Sequence, residues 1–219
     1  MTDRKTVAVI LAAGLGTRMK SDRPKVMHPL AGQPMIAHLL GTLEPLGLDK
    51  TVVVIGDGME DVADIVKPHA TVVQSERLGT AHAVLAARDF IESFEGELLI
   101  LYGDTPLVSA ATLEAMLTGL RAPEKPAAIT LGFKPDDPGM YGRLIIGEDG
   151  NLEKIVEARD ATPEQLQVPL CNSGVMALDG ATALDYLSRI GNDNTKGEYY
   201  LTDIITISAA EQRSCQVVE

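Results

Sequence analysis

Two cysteines, Cys171 and Cys215, are too few in 219 residues to brace a disulfide framework, so the expected state is reduced thiols in the cytoplasm. No apolar run approaches the ~20 residues of a membrane-crossing helix. Positive charge is also in short supply. The 31 acidic residues outnumber the 19 basic ones and leave a formal net charge of −12, which argues against a general nucleic-acid or anionic-membrane partner. If the ligand is an anion, its site must concentrate local cations or a metal. The sequence has no Ser-His-Asp order and no His and Cys cluster with zinc spacing, so triad hydrolysis and a zinc centre lack support. Internal repeats and low-complexity linkers are missing too, and one domain over residues 1–219 is the simplest division. Arg4 and Lys5 ahead of Val7 to Ala13 imitate a secretory leader, but the apolar run is minimal and opens into glycine and basic residues, so no leader is expected.

What the chain does have is the stretch Leu11 to Lys25, LAAGLGTRMKSDRPK. It follows a β-branched apolar run, Val7 to Leu11, that suits a buried strand, and it turns abruptly to glycine and basic residues. Gly14 and Gly16 are expected to adopt backbone angles closed to other residues, letting successive N–H groups converge on an anion beside Arg18 and Lys25. A P-loop places its second glycine where this chain has Met19, and the dinucleotide fingerprint fails at the same position. LAAGLGTRM followed by Pro24 and Lys25 resembles the phosphate loop of sugar-1-phosphate nucleotidyltransferases, and the other reading is an ordinary strand-to-helix turn with solvated charges.

Further along, Pro34 to Leu46 has helical spacing, and Thr51 to Ile55 and Thr71 to Gln74 read as buried strands around a helix ending near Val66. Thr80 is expected to cap a helix over 81–91. Leu98 to Tyr102 is a strand leading into GDTPL, Ala110 to Leu120 a helix, and Ala127 to Phe133 a strand. This alternation predicts a Rossmann-like α/β/α fold, a mostly parallel mixed sheet with helices on both faces and the ligand at the carboxyl ends of the strands. Residues 135–151 are rich in Pro, Gly and Asp, so Tyr141 to Val156 and Ser173 to Leu178 are expected to form a small antiparallel extension over the pocket. Ala181 to Ile190 and Tyr200 to Ala210 read as helices, and Val217 and Val218 as the start of a last strand.

Nucleotidyl transfer needs charge neutralised on a leaving pyrophosphate, and an ionised phosphate nucleophile needs no general base. Lys25 is expected to meet the α-phosphate, Arg18 and the loop amides the pyrophosphate, and Asp104 a magnesium ion. That reading requires the Lys25 ammonium and the Asp104 carboxylate to share one cleft. His82 is expected to serve packing near the start of its helix, and Cys171 to be a small buried residue.

The stretches LAAGLGTRM, PKVMHPLAG, QSERLGTAHA, YGDTPL, YGR, IVEARDAT, NSG and GEYYLTD occur in that order. Together with the separation of seven positions between Arg18 and Lys25, they resemble the N-acetylglucosamine-1-phosphate uridylyltransferase family. The resemblance implies Mg²⁺-dependent transfer of UMP from UTP to N-acetylglucosamine 1-phosphate, for cell-envelope precursor synthesis. It also implies that Leu11, Ala12, Ala13 and Gly14 contact the nucleotide and that Gln74 and Gly79 read the uracil, with Thr80 beside them. Tyr102, Gly103 and Asp104 would line the phosphates, and Gly142, Glu157, Asn172, Tyr199 and Thr202 the amino sugar. The family's second metal ligand, an asparagine, lies beyond residue 219, as does its acetyl-transferring β-helix; self-association is open, and a trimer is expected only if such a domain follows. The alternatives are a relative using another sugar or CTP, and a non-catalytic module that binds a nucleotide sugar and regulates a partner.

Overall fold

The computed structural model describes residues 5–14, 16, 19–92 and 94–219. Strand β1 (Thr6–Leu11) lies at the centre, with every residue buried. Its side chains alternate between two cores: Val7, Val9 and Leu11 face one, Ala8 and Ile10 the other. A strand covered on both faces is what the unbroken apolar run predicts.

The chain leaves β1 through a loop and a short hairpin, β2 (Pro29–Leu30) with β3 (Gln33–Pro34). Helix α1 (Met35–Leu43) follows, then β4 (Lys50–Gly56), parallel to β1. Helix α2 (Glu60–Ile65) and β5 (Ala70–Gln74) extend the sheet in the same sense. After α3 (Thr80–Ala86) and α4 (Arg88–Ile91), β6 (Glu97–Tyr102) returns to the other side of β1, again parallel. Successive crossovers thus leave β1 in opposite directions, and the crevice beyond its carboxyl end is the place where such sheets bind ligands.

Beyond α5 (Ala110–Leu120) the sheet becomes mixed. Strand β7 (Ala128–Phe133) is joined to the rest by β10 (Cys171–Asp179), which runs antiparallel to both β6 and β7. The order across the sheet is β11-β7-β10-β6-β1-β4-β5, where β11 (Cys215–Val218) is parallel to β7. The hairpin β8 (Arg143–Ile146) and β9 (Leu152–Val156) hangs from β10 by the pairing of Arg143 with Cys171. Segment 173–178 is therefore not part of a roof, as the sequence led us to expect, but an inner strand of the main sheet. Its residues Val175 to Leu178 are buried on both faces, and burial of this kind does not reveal strand direction. The hairpin alone forms the extension.

Helices α3, α7 (Gly180–Arg189) and α8 (Asp203–Ala210) pack on one core, and α1, α2 and α5 on the other. A four-residue helix α6 (Pro163–Leu166) carries a capping box between Thr162 and Gln165. Two boundaries differ from the sequence reading. The expected helix over 81–91 is broken at Ala87 into α3 and α4, and Thr80 is the first helical residue rather than its cap. The Thr80 hydroxyl instead accepts from Leu201 N–H at 2.9 Å, tying α3 to the segment before α8. Among the described residues no helix is long and apolar enough to cross a membrane.

Candidate active site

The carboxyl ends of β1, β4 and β6 are stitched together by main-chain bonds. Ala12 N–H donates to Val54 C=O at 2.8 Å and Gly103 N–H to Leu11 C=O at 3.0 Å. Above this floor the backbone turns sharply at Gly16, whose φ is +61°. A Cβ there would lie 2.7 Å from Lys25 Cβ, so only glycine lets the loop close over the lysine. Gly14 does not have the positive φ that we expected; a Cβ at this position would meet nothing within 4 Å, which leaves open space over the floor.

Lys25 opens a single 3-10 turn, Lys25–Met27, whose Val26 is buried. Gly103 explains how that turn is held: a Cβ at 103 would come 2.8 Å from Val26 Cγ1, so the two segments interlock. The GDT turn is closed by the Thr105 hydroxyl and N–H, both donating to Tyr102 C=O at 2.7 and 3.0 Å. Across this junction Lys25 Nζ donates directly to Asp104 Oδ2. The two groups share one cleft, as the sequence reading required.

A cavity of about 260 Å³ opens here. Leu11 to Gly14 form its floor, Lys25, Tyr102 and Asp104 one side, and Gln74, Gly79 and Thr80 the other. Burial pushes the Tyr102 phenol well above the ordinary tyrosine range, so it stays neutral. Gly79 has φ +122°, and a Cβ there would run into the Tyr199 main chain at 2.5 Å. Leu78 C=O accepts from Tyr199 N–H, and Tyr199 C=O from Ala81 N–H, bracing the turn from outside.

A second cavity, of about 800 Å³, adjoins the first through Lys25 and is walled by Tyr141, Glu157, Arg159, Lys196 and Tyr200. Burial raises the pKa of Glu157; Lys196 opposes the shift, while Asp160, Asp203 and Glu198 add to it. Gly142 lies behind this wall, where a Cβ would be 3.5 Å from Glu157 Oε1. Asn172 is placed beside the wall, not on either lining: its N–H donates to Gly142 C=O at 2.8 Å and its Oδ1 accepts from Gly174 N–H at 2.9 Å. Gly103, Tyr199 and the buried Thr202 also lie outside both linings. Arg18, expected beside the pyrophosphate, lies outside the described residues.

This arrangement, a strand-loop-strand floor with a lysine and an acid facing each other across it, coincides with a sequence match over residues 8–164 to the MobA-like NTP transferase domain. The chain belongs to that family. It is accordingly a nucleotidyltransferase domain. It is 55% identical over 219 residues to the bifunctional protein GlmU of Paramagnetospirillum magneticum, covering 100% of this chain and 49% of that protein. For the bifunctional protein GlmU of Rhodospirillum rubrum the identity is 58% over 215 residues, covering 98% and 48%. The chain spans about half the length of the curated relatives it matches. A crystal structure of UDP-glucose pyrophosphorylase complexed with UDP-glucose superimposes with a TM-score of 0.80 at 19% identity, over 97% of this chain and 90% of that one. The expected α/β nucleotidyltransferase fold is thereby established.

Three cations of this NTP transferase domain escaped the sequence reading. Arg77 reaches across the end of β4 to donate from Nε to Ala13 C=O at 2.9 Å and lines the first cavity. Arg159 and Lys196 line the second. Arg77 stands between Gln74 and Gly79, and Arg159 two positions after Glu157, so adjacency to expected site residues was the available signal.

Proposed function

We propose that this chain transfers UMP from UTP to N-acetyl-α-D-glucosamine 1-phosphate, releasing pyrophosphate, in the cytoplasm and with Mg²⁺. The observation that carries the proposal is Lys25, which lines both cavities and is paired with Asp104 between them. A nucleoside triphosphate in the smaller cavity and a sugar phosphate in the larger one would bring the α-phosphorus and the attacking oxygen to the same ammonium. The sugar phosphate oxygen forms the new bond to the α-phosphorus as the bond to pyrophosphate breaks. Lys25 would neutralise the α-phosphate as charge shifts to the leaving group.

The donor set fits magnesium. Asp104 offers a partly exposed hard oxygen at the strand end, and among the described residues no group of three or more His, Cys, Asp and Glu is gathered as a full protein cage. Mg²⁺ characteristically takes one or two carboxylates and completes its shell with phosphates and water. When bound, it would supply charge stabilisation to the pyrophosphate. The GlmU relatives support the choice of nucleotide and sugar, and Glu157 adds a hydrogen-bond acceptor for sugar hydroxyls.

Pyrophosphate release from UTP, N-acetylglucosamine 1-phosphate and Mg²⁺ tests the reading. Lys25→Ala and Asp104→Asn are each expected to lower kcat by on the order of 100-fold. Undiminished turnover in both variants would place the chemistry elsewhere.

A further inference from the structure

His82 has no part in the chemistry described so far, yet its ring faces Gln74 from the first turn of α3. Gln74 is only 4% exposed, so its carboxamide must find partners inside the protein. Its Nε2 lies 3.3 Å from Gly79 C=O and 3.0 Å from His82 Nδ1. A carbonyl oxygen only accepts, so the atom facing Gly79 is the amide nitrogen, and this fixes the flip of the carboxamide. His82 Nδ1 therefore meets an N–H and is the lone-pair nitrogen of a neutral ring with its proton on Nε2. With both amide hydrogens engaged, Gln74 has only Oε1 left to offer the nucleotide cavity that it lines. An acceptor at that place complements the N3–H of uracil and opposes the N3 lone pair of cytosine.

We propose that His82 is a positioning residue for base selection: its Nδ1 lone pair locks the Gln74 carboxamide in the orientation that accepts from uracil and rejects cytosine. The inference rests on the uridylyl-transfer reading above and goes beyond it in assigning the discrimination to a pair of residues. Removing the lone pair leaves the amide nitrogen held by Gly79 C=O alone at 3.3 Å, so the carboxamide loosens and Oε1 is no longer fixed toward the cavity.

The experiment is the ratio of kcat/KM for UTP to that for CTP in the wild type, His82→Phe and His82→Asn, with His82→Leu as a second apolar variant should the first not fold. Phenylalanine keeps the ring without the lone pair, whereas asparagine can place Oδ1 near the position of Nδ1. The ratio is expected to fall about tenfold in His82→Phe, equivalent to one net hydrogen bond, mainly through a higher KM for UTP. It is expected to stay near the wild-type value in His82→Asn. A merely structural role would depress both nucleotides equally, and an unchanged ratio in the apolar variant would overturn the proposal. So would a wild type without preference for uracil. If the wild type turns over no nucleotide, the uridylyl-transfer reading fails by itself, and calorimetric binding of UTP against CTP to the same variants still decides the role of His82.

Discussion

Glu157 is one side chain whose protonation and placement have measurable consequences. Burial, then the neighbouring acids Asp160, Asp203 and Glu198, raise its pKa against the pull of Lys196. The folded chain thus holds this proton more tightly than the unfolded chain does. Its contribution to stability is present at pH below the ordinary glutamate range and is lost as pH rises through the raised value. On the proposed reading, sugar binding has the opposite sign, since the ionised carboxylate is the stronger acceptor for hydroxyls. The KM for the sugar phosphate should climb as pH falls through the raised pKa, above the range of an exposed glutamate, and Glu157→Gln should flatten that limb; pH profiles of KM for the two substrates check both statements. Glu157 was legible in the sequence because it sits in a motif, IVEARDAT, as Lys25 and Asp104 sit in theirs. Arg77 sits in a motif too, QSERLGTAHA, but its role was not legible because its target, the Ala13 carbonyl, is supplied by a segment 64 positions away; Lys196 is a loop cation with no periodicity to mark it.

The hairpin of β8 and β9 shows the same limit among elements. Composition revealed that residues 135–156 would form turns and short strands, but not which strand they would join. The decisive group is Arg143, 3% exposed, whose guanidinium donates to the carbonyls of Pro138, Gly139, Tyr141 and Leu166. One buried cation thereby fixes the loop that carries Tyr141 and Gly142 to the larger cavity, using backbone acceptors in place of a carboxylate. Arg143→Met would leave these carbonyls unpaired and let the loop drift. The expected result is a KM for the sugar phosphate raised by about tenfold with the KM for UTP little changed, given the cost of a lost charged hydrogen bond. Steady-state kinetics with each substrate varied in turn would reveal it. A rise in both constants would mean that Arg143 supports the whole sheet instead. Strand β10 was harder still to read, because a parallel and an antiparallel inner strand bury the same kind of residues.

Across the whole molecule, the sheet grades from a rigid middle to softer margins. Strands β1 and β6 are buried nearly throughout, whereas β5 exposes Val73 to 50% and β11 is half-buried over three of its four residues. Native-state hydrogen exchange should be slowest in β1 and β6, which are paired on both sides, and fastest in β5 and β11, whose outer edges carry no partner strand among the described residues. Equal protection across all four strands would contradict this gradient. The floor of the smaller cavity is attached to the rigid middle and the wall of the larger one to a peripheral hairpin, yet Lys25 lines both. On the proposed reading, a single ammonium that answers to two tenants cannot let them in independently. Whatever free energy the first arrival spends in drawing it away from Asp104 is a debt from which the second is released, and by reciprocity each substrate must sharpen or blunt the protein's grip on the other by the same factor.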